Sequence, residues 1–113
     1  MINSIYPNDE VLKDMPLKER LINQLYEFKA EYLYDTSVMF ILEKKNPLIK
    51  LFPTKKYKFH KEEAQRDLGA IIALELVYRT EFGNDTDIFD NIASASRLYA
   101  DKALERKGYK KTA

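Results

Sequence analysis

The sequence predicts an all-α fold, a small helical bundle of three to four main helices in a single domain spanning 1–113. Apolar residues recur at spacings of three and four along most of the chain, and Pro or Gly stands where those stripes stop. A composition of 45% hydrophobic and 33% charged residues suits one soluble core rather than disorder.

Residues 1–15 read as an extended lead-in followed by a short helical piece, where Asp9 and Glu10 suit the positive end of a helix dipole. The first long helix starts near Pro16, with Asp14 or Met15 at the cap, because proline's missing N–H costs nothing in a first turn. Leu17, Leu21, Ile22, Leu25, Phe28 or Lys29, Tyr32, Met39 and Leu42 or Glu43 then mark one stripe running to Lys45. Asp35, Thr36 and Ser37 are weak helix formers, so one rod or two helices divided at Ser37 both fit. Lys44 and Lys45 favour a helix C-terminus, Asn46 suits a left-handed cap, and Pro47 stops propagation.

Residues 48–60, between this region and the next helix, alternate apolar residues with lysine on both sides of Pro53-Thr54-Lys55-Lys56. The pattern fits a short β-hairpin, or an extended loop pinned to the core by Leu48, Leu51, Phe52, Tyr57 and Phe59. The following helix is expected from His60 or Lys61, with Glu62, Glu63 and Asp67 in its early turns, to a stop at Gly83. From Leu68 to Tyr78 it is apolar nearly all round, which predicts a place in the middle of the domain. Asp85 or Thr86 caps the last helix, whose inner stripe reads Ile88 or Phe89, Ile92, Ala95, Leu98 or Tyr99, and Lys102 or Ala103. Ala93, Ser94, Ser96 and Ala100 make this helix thin, matching a notch at Gly69 and Ala73, so the last two helices are expected to form a close-packed hairpin. Gly108 ends the last helix, and 108–113 form a frayed basic tail.

Charge is the feature that bears most on function. Lys44, Lys45, Lys50, Lys55, Lys56, Lys58 and Lys61 fall in one stretch without an acid, so a net charge of +1 hides a basic connector inside an acidic remainder. Separation of this kind marks a contact surface. The interaction residues expected from it are Lys50, Lys55, Lys56, Tyr57, Lys58 and Lys61, with Tyr26 and Tyr34 on the first helix as aromatic anchors for a protein partner. No Arg lies in residues 44–61, so any contact with nucleic acid would be directed at the backbone and tolerant of sequence.

Motifs for chemistry are missing. His60 is the only histidine and there is no cysteine, so neither a Cys/His metal site nor a nucleophile–base pair shows at a recognisable spacing; a capping or exposed His60 is expected. Asp85, Asp87 and Asp90 fail as a calcium loop, because Phe89, Asp90 and Ser96 stand where an oxygen ligand, a glycine and a bidentate glutamate belong. Glu31, Asp35, Glu43 and Glu75 do not fall into the Glu-x-x-His pairs of a di-iron bundle. Glu75, the one charge within the most apolar run, is expected to form a buried ion pair with Arg97.

These residues point to a non-enzymatic, cytoplasmic protein-binding module, an adaptor, inhibitor or regulator acting through surface contacts with a protein partner or a second copy of itself. The alternative is a sequence-tolerant nucleic-acid binder using the Lys44–Lys61 connector together with Lys110 and Lys111. No cofactor, catalytic residue, metal ligand or membrane contact is expected, since the longest apolar runs are far shorter than the ~20 residues of a membrane span. The Lys-, Asn- and Tyr-rich, cysteine-free composition resembles that of many products of phages and mobile elements of low-GC bacteria. The stretch from Phe59 to Phe89, with Glu62-Glu63, its apolar run, Tyr78-Arg79 and Phe82-Gly83, is loosely similar to the last helix and tail of small bacteriocin immunity bundles, from which the long helix after Gly83 departs.

Overall fold

The computed structural model describes residues 16–109, and the expected N-terminal piece and the lysines of the C-terminal tail lie outside them. Three helices follow in order: α1 (Leu17–Lys45), α2 (Lys55–Phe82) and α3 (Thr86–Arg106). There is no strand among the described residues.

α1 is one unbroken rod of 29 residues, ~43 Å at the standard rise. It passes through Asp35-Thr36-Ser37 because Asp35, Ser37 and Val38 are buried against the other helices, while the Thr36 hydroxyl is satisfied locally by donating to the carbonyls of Tyr32 (2.9 Å) and Leu33 (3.2 Å). It ends where expected, but Asn46 is extended (φ −137°) rather than left-handed, and its side-chain oxygen accepts from the Leu48 N–H.

The connector is not a hairpin. Residues 47–51 wind into turns, with the Leu51 and Phe52 N–H groups both donating to the Leu48 carbonyl. Helix α2 then starts at Lys55, earlier than His60, because Thr54 caps it by accepting from the Tyr57 N–H at 3.2 Å. Extending the helix back places Tyr57, His60, Ala64, Asp67, Ile71 and Tyr78 on one buried stripe at spacings of three, four and seven. Gly83 closes α2 at φ +81°, a conformation that favours glycine. Asp85 caps α3 through the Ile88 N–H, as the sequence predicts.

The middle helix of the molecule is α1, not α2. α2 packs antiparallel to α1, with Tyr57 reaching Glu43, His60 reaching Asp35 and Glu75 reaching Lys29. α3 returns parallel to α1, with Ser96 on the Tyr26 carbonyl and Leu104 in the cluster that holds Val38. Leu25, Ile71 and Ile92 join all three helices at one end, while Tyr34, Val38, Ala100, Ala103 and Leu104 seal α1 to α3 at the other. The thin face of α3 is real, but Ser96 and Ala100 use it to approach α1.

The expected hairpin of the last two helices is therefore replaced by two helices that each lean on α1. They meet near the Gly83 turn, where the Tyr78 and Phe89 rings sit edge to face at 5.2 Å. Gly69 and Ala73 face solvent, and Leu68, Ile72, Leu76 and Val77 are exposed, so the run that looks apolar all round keeps one face uncovered. A Cβ built on Gly69 would meet nothing within 4 Å. Gly69→Ala should therefore raise stability by about 0.5–1 kcal/mol, through helix propensity and a stiffer unfolded chain, seen as a higher urea midpoint at unchanged slope.

Candidate functional site

The seam between α1 and α2 contains acids where a core would normally hold carbon. Glu27, Glu31 and Asp35 stand at intervals of four on α1, and His60, Glu63 and Asp67 at three and four on α2. Both sets keep to one face of their helix, and antiparallel docking brings the faces together. Glu27 is 2%, Asp35 3% and Asp67 2% exposed.

His60 is buried instead of capping or exposed. Its Nδ1 lies 2.6 Å from Asp35 Oδ1, and the Tyr34 and Phe59 rings pack edge-on against the imidazole at 6.0 and 5.3 Å. Glu31, Asp35 and Glu63 each bring one carboxylate oxygen into a group whose members lie within 4.8 Å of one another. Arg66, reaching in from the surface, pairs with Glu63.

Three oxygens in this seam, Glu27 Oε1, Asp35 Oδ2 and Asp67 Oδ2, are buried without a hydrogen-bond partner. Such groups are costly when charged, and two of them respond by holding their protons. Burial, then the charges of Glu31 and Asp35 against a smaller opposing effect of Arg66, pushes the Asp67 carboxyl up to about 7. Burial and the Glu31 charge do the same for Glu27, to about 7. Beside the seam opens a cavity of about 500 Å³, floored by Glu31, Asp35, His60 and Glu63 and walled by Tyr34, Phe59, Lys56, Lys107 and Tyr109.

The basic connector forms a second feature. Lys55, Lys58 and Lys61 are exposed on the first turns of α2, Lys50 approaches Glu43 at 3.9 Å, and Lys56 lies over the Tyr109 ring at 4.8 Å. Tyr57 is not available as a contact ring: it is buried, and its hydroxyl donates to Glu43 Oε2 at 2.6 Å, which with burial and the Glu43 charge pushes its ionisation up to about 12. Tyr34 is likewise buried, and Tyr26 is half-buried edge-on to Tyr99 at 6.2 Å, so neither stands out as an exposed anchor. The exposed apolar groups are others. Leu51 and Phe52 are each 73% exposed, and Leu48 and Phe59 are also open; of the residues expected to pin this segment only Tyr57 is buried, joined by Ile49.

The expected Glu75–Arg97 pair is not formed. Glu75 takes Lys29 at 2.9 Å and Arg79 at 3.7 Å, because α2 lies against α1; Arg97 bonds Ser37 on α1 and Asp101 one turn along α3.

Fold and sites together define an all-helical protein with a buried acid–histidine seam and a basic, apolar-tipped connector. Among the described residues no helix is long and apolar enough to cross a membrane. Comparison with protein-family models, curated proteins and solved structures finds no match for the chain.

Proposed function

We propose that the chain is a small helical protein-binding module that docks its connector end on an acidic surface of a partner protein. The observation that carries this reading is the exposed trio Leu48, Leu51 and Phe52, spaced to share one side of a turn and bordered in sequence by Lys50, Lys55 and Lys58. Large apolar groups held in water at a loop tip are a standing cost unless something covers them. A few such anchors within a charged rim are how hot spots are built, with the charges steering encounter and the anchors supplying affinity. Burial of Tyr57 removes one of the two rings that interleave with the lysines after Pro53, Phe59 staying exposed, and leucines gain little on a phosphate backbone. A protein is therefore favoured over nucleic acid.

The test is a pull-down with three baits: the natural chain, Leu51→Ser/Phe52→Ser, and Lys55→Glu/Lys58→Glu/Lys61→Glu. One protein with an acidic surface should be retained by the first bait and lost from both variants, and with that protein purified the double serine variant should bind at least ~30-fold more weakly. Retention indifferent to both variants would overturn the reading. So would binding of a mixed DNA and RNA ligand by the natural chain that falls steeply between ~50 and ~200 mM salt.

Self-association is a second reading, favoured by the uncovered face of α2 with Leu68, Ile72 and Leu76. Light scattering on the purified chain decides it, since a mass of one chain at micromolar concentration excludes a stable dimer.

A further inference from the structure

We propose that Glu31, Asp35 and Glu63 hold a hard divalent cation, manganese or magnesium, in the seam between α1 and α2. The sequence alone offers no ligand spacing for this, because the residues come from two helices and meet only through docking. Their oxygens lie within 4.8 Å of one another. Two oxygens bound at about 2.4 Å to one cation are at most ~4.8 Å apart, so the three are close enough to share an ion. All three donors are carboxylates, which select manganese, magnesium or calcium over softer metals, and two helices fixed by packing suit the smaller, less flexible coordination spheres.

An acidic cluster can be a solvated accident, but this one has independent marks of a ligand site. Asp67, one turn along α2 from Glu63, is 2% exposed and keeps Oδ2 unpartnered. Asp35 also has Oδ2 buried and unpartnered, its Oδ1 being taken by His60 Nδ1. A histidine that grips one oxygen of a carboxylate and leaves the other aimed at a metal is a common supporting arrangement, so His60 is assigned as a positioning residue. Arg66 pairs with Glu63 and His60 with Asp35, and Lys56 and Lys107 line the same cavity as the three carboxylates. The cavity of about 500 Å³ beside them provides the entry path and room for the waters that manganese and magnesium retain.

The experiment is titration of the full-length chain with Mn²⁺, following free ion by electron paramagnetic resonance and backbone amides by NMR. One ion per chain should bind, Mg²⁺ should compete, and Glu31→Gln/Glu63→Gln should weaken binding on the order of tenfold or more with the helical circular dichroism kept. His60→Gln, which can still donate to Asp35, should weaken it less than His60→Ala. If the double variant fails to fold, the natural chain still decides: paramagnetic broadening should centre on residues 31–35 and 60–67. Broadening centred elsewhere, such as the acids at the start of α3, or absence of saturable Mn²⁺ binding, would overturn the proposal.

Discussion

Leu25→Ala should lower the stability of this protein by about 2–5 kcal/mol, the range for emptying a buried leucine site. Leu25 has no exposed surface and sits with Ile71 of α2 and Ile92 of α3, so one side chain holds both outer helices to α1. Because α2 and α3 scarcely pack on each other, neither can compensate for the other when that contact is lost. A chain of this size is stabilised by only ~5–15 kcal/mol in total. The expected result is a melting temperature lower by roughly 10 °C or more, at ~4–8 °C per kcal/mol. Circular dichroism melts check it. A drop of only a few degrees would mean that the three helices do not share this junction.

Without divalent metal, the protein should become less stable as pH rises from about 5 to about 8. Glu27 and Asp67 have their carboxyls pushed up to about 7 in the fold, chiefly by burial, while in the unfolded chain they titrate near their ordinary values of about 4. Between those values the folded state keeps protons that the unfolded state has released. The stability is thus present in full below about pH 4 and is lost as pH climbs through about 7. In EDTA the melting temperature at about pH 8 should fall below that at about pH 5 by on the order of 5 °C. Glu27→Gln and Asp67→Asn should each recover part of the difference by raising the value at high pH. A melting temperature that climbs from pH 5 to pH 8 would mean that these acids are solvated or paired.

The ends of the helices were legible where local chemistry sets them. Asn46-Pro47, Gly83 and Asp85 act on the backbone within a few residues of themselves, so their positions survive in the fold. The start of α2 was hidden, because lysines at 55, 56 and 58 oppose the helix dipole that acids in a first turn would complement. The tertiary contacts of Tyr57 and His60 outweigh that local preference. The order of the layers was also hidden. Apolar content from Leu68 to Tyr78 suggested a central helix, whereas α1 earns that place with buried residues on two sides, among them Leu25, Val38, Glu27 and Asp35.

The acid–histidine seam went unread for a related reason. Acids at intervals of four on one helix ordinarily mean a wet face, and residues 35 and 60 have no sequence relation that predicts their contact. The usable signal was the period itself: Glu27, Glu31, Asp35 and His60, Glu63, Asp67 repeat as a core stripe would, on the side of each helix that also carries Tyr34 or Ile71.

Because α2 and α3 are each fastened to α1 and barely to one another, the molecule behaves mechanically as a spine with two arms. Amide exchange should be slowest in the spine and faster in each arm, with the Leu25, Ile71 and Ile92 junction the last part of either arm to open. The acids at 31, 35 and 63 span the joint between the spine and the first arm, and an ion held there would be its clasp.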